Sequence, residues 1–128
     1  MKTMISSVFD IANPQEYACV IRKYSAGHSA LHIQAVSNFK PPDIFYLVFY
    51  PVEFFSGPVT WQSVDFQIGS AEETLAIFNR IERYRHVSKQ ALMNSPYNLR
   101  LYVIKTPTGP IQIVAAEAKL HREEWILS

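Results

Sequence analysis

Glycine is scarce in this chain. Four glycines in 128 residues, at positions 27, 57, 69 and 109, are too few and too scattered for a phosphate-cradling loop. Such loops need clustered glycines so that backbone amides can approach the anion, which excludes a P-loop and a dinucleotide fingerprint. Cysteine is scarcer: Cys19 stands alone, so no disulfide can form within the chain, and a reducing, cytoplasmic setting is the expectation. Between Tyr17 and Ile21 its thiol reads as a small core side chain rather than a nucleophile. Charge is low and balanced, with 18% charged residues and a formal net charge of +1. That supplies no long-range field to gather nucleic acid or an anionic membrane surface. Long apolar runs are missing as well. The most apolar stretch, 44–55, is interrupted by Pro51 and Glu53, whereas a membrane-spanning helix needs about 20 residues. Before Asp10 the apolar residues are scattered, so no secretory signal is expected.

Apolar side chain is what the chain has in quantity. It makes up 48% of the residues, including eight Phe, seven Tyr and two Trp, which argues against disorder. A chain of this length buries roughly 65–70% of its unfolded surface as one domain, and residues 1–128 are read as a single one.

Periodicity organises the chain into strands and one helix. Residues 17–24 and 29–37 each alternate between two faces around Ser25, Ala26 and Gly27, the pattern of a β-hairpin. Residues 44–50 follow Pro41, Pro42 and Asp43 with no polar break, which marks a strand covered on both faces. Pro51 is expected to end its ladder, because proline has no amide hydrogen. After Ser56, Gly57 and Pro58, residues 59–68 alternate again and predict the fourth strand of an antiparallel meander. Ser70 with Glu73 three residues later forms a capping box. Ile77, Ile81, Tyr84, Ser88 and Ala91 then lie on one stripe, so a helix is predicted over 71–93, ending before Pro96. Residues 99–105 and 111–116 flank Pro107, Thr108, Gly109 and Pro110 as a second hairpin. The tail, 117–128, is rich in helix formers and reads as a short helix or irregular segment. The expected class is α+β: an antiparallel sheet in ββββ-α-ββ order, with one long helix packed on one face.

One helix covers one sheet face, yet the strand at 44–50 is apolar on both. A second copy of the chain is the preferred cover, since symmetric dimers are the commonest oligomers and need no extra sequence. Coverage by the chain's own termini, or by a strongly curved sheet closing on itself, is the alternative.

Residues able to carry chemistry are few. His28 and His32 have the spacing that binds zinc on a helix, but on a strand it sets them about 13 Å apart, too far to share one ion. Gly27, His28 and Ser29 lack the second glycine of a nucleophile elbow. Glu72 and Glu73 are explained by the helix start. Glu53 is set between the apolar Val52 and Phe54, and it reads as a solvated loop carboxylate beside Pro51 rather than as a catalytic group. Arg80, Arg83, Arg85 and Lys89 straddle the apolar stripe of the helix rather than forming a ridge for phosphates. No catalytic residue, metal site or cofactor is predicted.

Three function classes remain. The favoured one is a non-enzymatic accessory or regulatory protein acting through protein–protein contacts, with Phe54, Phe55 and Trp61 as the contact surface, because aromatic residues concentrate at interface centres. The second is a single-stranded nucleic-acid binder using Arg22, Lys23, Tyr24, His28 and His32 as a basic and aromatic sheet face. Four strands followed by a helix, residues 17–93, resemble in topology the unit found in Whirly-type domains, and that resemblance implies base stacking on the sheet. The near-neutral charge and two extra strands count against it. The third is a small-ligand binder or enzyme with an aromatic-lined pocket between sheet and helix.

Overall fold

A computed structural model describes residues 8–27, 29–81 and 99–122. The architecture is a single seven-stranded antiparallel sheet curled into a half-barrel. Its strands are β1 (Tyr17–Ser25), β2 (Ala30–Ser37), β3 (Ile44–Ser56), β4 (Thr60–Gln62), β5 (Gln67–Ile68), β6 (Arg100–Ile104) and β7 (Ile111–His121). The spatial order is β4-β1-β2-β3-β7-β6-β5. Among the described residues the helical elements are a 3-10 turn at Pro14–Glu16 and helix α1 at Ala71–Phe78.

The curl follows from connectivity. Strands β4 and β5 lie at opposite edges of the sheet, yet only residues 63–66 separate them in sequence. A flat sheet of seven strands would hold its edges about 29 Å apart. Five residue steps reach at most about 18 Å. The edges must therefore bend toward each other, and the sheet acquires a concave and a convex face.

The concave face holds the larger core. Cys19, Ile33, Leu47, Phe49, Ile113 and Phe66 meet there with almost no solvent exposure. The Phe49 ring lies 5.2 Å from that of Tyr102 on β6, a contact between strands that are not neighbours in the sheet. The segment before the 3-10 turn closes this face. Phe9 sets its edge against Phe49 and Phe66 at centroid separations of 6.0 and 6.1 Å, and the Val8 amide donates to the Phe66 carbonyl at 2.9 Å. On the convex side a smaller core joins Ile77 and Phe78 of α1 to Leu99, Leu101 and Val114.

These facts correct the expected α+β class with one long helix across a sheet face. The helix begins as predicted, with both bonds of the Ser70–Glu73 capping box made. It is regular for eight residues, and tighter turn bonds follow at Arg80 and Ile81; the part predicted beyond 81 lies outside the described residues until Leu99. Its packing is confined to the outer side of β6 and β7. A sheet that folds over on itself buries its concave face without a helix; periodicity left that open beside the favoured second copy, because it does not report curvature. The four-strand meander fails for a related reason: the fourth predicted strand is two short strands on opposite edges, with β4 paired to β1 rather than β3.

Two further expectations change. Strand β3 runs thirteen residues, straight through Pro51. Its ladder with β2 ends at Phe49, and Pro51 falls between the β7 pairings of Tyr50 and Val52, so no ladder bond requires its amide. Residues 117–121 are strand, not helix, because β3 offers an edge that they pair with as far as Tyr46 opposite His121. Tertiary pairing outweighs the helix propensity of that Ala-, Glu- and Lys-rich stretch. No helix among the described residues is long and apolar enough to cross a membrane.

Candidate functional site at the apolar mouth

Where β3 leaves β2, the concave face opens. Opposite Ala115 and Val114 of β7, β3 carries one extra residue, Glu53, between Val52 and Phe54. Such a bulge bends the strand and re-aims its side chains. The β1–β2 hairpin has its own irregularity between Ile21 and Lys23. The two kinks splay the strands around a cavity of about 420 Å³, lined by Ile21, Tyr24, Leu31, Val52, Phe54 and Phe55, with Glu53 as its charged member among the described residues.

Side-chain parity explains which residues reach it. Ile21 pairs with Ile33, and beyond the irregularity Tyr24 pairs with Leu31, so both sit on the concave face. Tyr24 is 52% exposed. The Ile21 amide donates to the Val59 carbonyl at 2.9 Å, which sets Val59 opposite Ile21 on the same face, and Val59 is 67% exposed. Exposed apolar side chains thus flank the cavity on its β1 side.

The predicted contact trio is divided. Phe54 and Phe55 both line the mouth. Phe54 also leans on the convex core, with the Arg80 guanidinium 5.6 Å from its ring centroid, while Phe55 packs on the concave core. Trp61 is buried on β4 at the sheet edge, opposite Cys19, and its indole N–H donates to the Ser63 carbonyl at 2.9 Å. Ile21, Leu31, Val52 and Val59 were not legible as site residues. Only a bulge brings Val52 and Phe55 to the same opening, and bulges leave no signature in an apolar run.

The predicted nucleic-acid face is not one surface. Lys23 pairs with His32 on the convex side, whereas Tyr24 is concave, and Arg22 falls at the irregularity between them. His28 lies outside the described residues. His32 is buried, and among the described residues its Nδ1 has no hydrogen-bond partner. Burial, and after it the positive charges of Lys23 and His121, pull its pKa below the ordinary imidazole value. Cys19 is buried under Ser63, and burial pushes its thiol up to about 12, where it is inert.

A second concavity, about 500 Å³, lies at the seam between the sheet edges. It is more polar, and several of its polar groups are engaged in local hydrogen bonds. The Gln67 amide donates to Asp65 at 2.7 Å, the Gln62 amide to the Gln15 carbonyl at 2.8 Å, and Ser70 N–H to Glu73 at 2.8 Å. At the far end of the half-barrel the Tyr17 hydroxyl donates to Asp43 at 2.7 Å, and Arg122 reaches the other carboxylate oxygen at 2.6 Å. Burial, reinforced by this bond, pushes the Tyr17 phenol up to about 12. That network ties three segments together and lines neither of these two cavities.

Fold and site together define a small β-rich half-barrel with a packed interior and an apolar, aromatic opening at one end. The chain matches no protein-family model, no curated protein and no solved structure.

Proposed function

We propose that this is a non-enzymatic accessory or regulatory protein that works through protein–protein contacts and assembles as a homodimer. The observation that carries the reading is the mouth: Tyr24 and Val59 stay exposed at a cavity also walled by Phe54, Phe55 and the aliphatic Ile21, Leu31 and Val52. Exposed aromatic and aliphatic side chains around a pocket are what interface centres are made of. The original reason for a second copy, the doubly apolar strand at 44–50, no longer contributes. Phe45, Leu47 and Phe49 are buried on one face, and Tyr46 and Val48 are buried on the other, within one chain.

A second reading takes the same cavity as a pocket for a small apolar ligand, since β-barrel mouths are favoured ligand positions. Native mass spectrometry of freshly purified protein separates the two. The protein-contact reading expects a two-chain mass without added small molecule. A stoichiometric small molecule that disappears in Phe55→Ser would overturn it in favour of a carrier. Nucleic-acid binding has less support, because its five candidate residues are divided between faces. Salt-dependent retention of a single-stranded oligonucleotide at low ionic strength would restore it.

A further inference from the structure

We infer that the concavity at the seam between the sheet edges is a binding site for a free α-amino acid with an apolar side chain, independent of the mouth and of the homodimer reading. The cavity exists because the chain leaves one edge for the other. Strand β5 pairs with β6 through Gln67 opposite Val103 and Ile68 opposite Tyr102. Just before Gln67 the chain folds back, with Phe66 N–H donating to the Val64 carbonyl at 2.8 Å, so it does not continue along β6. Lys105, two residues past Val103, is left without a β5 partner, and the space of about 500 Å³ opens beside it. On the other wall, Ser63 turns the chain out of β4 with a φ of 105°, in the region that favours glycine. Strained residues of this kind gather at ligand sites. The Ser63 hydroxyl accepts from the Asp65 N–H at 3.1 Å and so fixes the backbone that carries the Asp65 carboxylate.

The lining keeps opposite charges apart. Asp65 and Glu73 share the wall with Lys105, yet among the described residues Lys105 pairs with neither. Each carboxylate is held through one oxygen, Asp65 by the Gln67 amide and Glu73 by the Ser70 N–H. The second oxygen of each is uncommitted among the described residues. So is Gln62 Oε1, whose companion nitrogen is spent on the Gln15 carbonyl. Acceptors positioned in advance suit an ammonium group, which brings three N–H donors and no acceptor. Lys105 offers the charge that a carboxylate needs. Ile68, Val103 and Pro107 add apolar wall to the same cavity, and Ile68 is 50% exposed, so a ligand side chain has surface to cover. A plain cation would face Lys105, and a plain anion would face two carboxylates. A zwitterion with an apolar side chain satisfies both signs and the wall between them.

Isothermal titration calorimetry of the full chain with L-leucine, L-methionine and L-phenylalanine tests this. Isopentylamine and isocaproate serve as comparisons, since each keeps the leucine side chain and loses one charge. At least one of the amino acids should bind saturably with a dissociation constant below about 10 mM. The two single-charge probes should bind at least about tenfold more weakly, as loss of a charged partner implies. Lys105→Ala should weaken amino-acid binding at least about tenfold and leave isopentylamine unchanged, whereas Asp65→Asn should weaken both. Neither side chain is buried, circular dichroism checks that each variant folds, and Glu73→Gln replaces Asp65→Asn should that one not fold. Tyr24→Ser, at the mouth, should change nothing. No saturable binding by any of the three amino acids would overturn the inference. So would isopentylamine binding as tightly as they do, or an affinity untouched by both the lysine and the carboxylate variants. None of these outcomes bears on the homodimer.

Discussion

At the residue scale, two positions carry more than their size suggests. A Cβ on Gly69 would lie 2.7 Å from Leu101 Cδ2 and 3.0 Å from its Cγ, and Leu101 is 1% exposed in the convex core. Gly69→Ala should therefore destabilise the fold by about 1–3 kcal/mol, the usual cost of overpacking, measurable as a lower urea midpoint. His32 is the second. Its folded pKa lies below the ordinary imidazole value of 6.5, so between those two values the unfolded chain binds a proton that the folded chain does not. Stability then rises with pH across that window: the contribution is complete above 6.5 and lost as pH falls. Urea midpoints recorded from about pH 7.5 to 5 should decline on acidification, and His32→Leu should flatten the decline. Neither position announces itself in the sequence. Gly69 reads there as part of a helix start, and His32 as an alternating strand residue, because steric clearance and desolvation arise only once another strand is laid alongside.

At the scale of elements, local chemistry was the most legible. The capping box at Ser70 and Glu73 forms with bonds of 3.0 and 2.8 Å, and the hairpins at Tyr17–Ser25 with Ala30–Ser37 and at Arg100–Ile104 with Ile111–His121 pair as their alternation implies. Ser70→Ala should cost about 1 kcal/mol of stability through the lost cap, seen in chemical denaturation. Less legible was the network holding element ends together, in which Tyr17 of β1, Asp43 before β3 and Arg122 after β7 converge across 26 and 79 residues of sequence separation. The Tyr17 hydrogen bond, and after it Arg122, hold the Asp43 carboxyl below its usual value despite opposing desolvation. Tyr17→Phe should lower stability by about 1 kcal/mol. Arg122→Ala should cost less, since the partly exposed ion pair is screened by solvent. Equal losses in denaturant titrations would show that the two contacts do not differ in this way.

Over the whole molecule, closure of the concave face decides the architecture. Phe9 fills it from outside the sheet, and Phe9→Ala should destabilise the fold by roughly 2 kcal/mol, below the usual range for a fully buried ring because Phe9 is only half-buried. A loss below about 0.5 kcal/mol would mean that the sheet closes without that segment. Strand order could not be read from the chain, since alternation reports which residues share a face and not which strand lies beside which. The sequence alone settled composition-level matters: the absence of glycine-rich phosphate loops, the lone thiol, the strand-rich character, the hairpins and the start of the helix. Each depends on residue type or on spacing within a few positions. Tertiary structure alone decided that β4 and β5 stand at opposite edges, that the sheet curls, that 117–121 extend a strand, and that Phe54 and Phe55 open onto a cavity from which Trp61 is withdrawn. Those outcomes depend on pairing between distant segments and on two local irregularities, and the free energy of such pairing is a property of both partners at once.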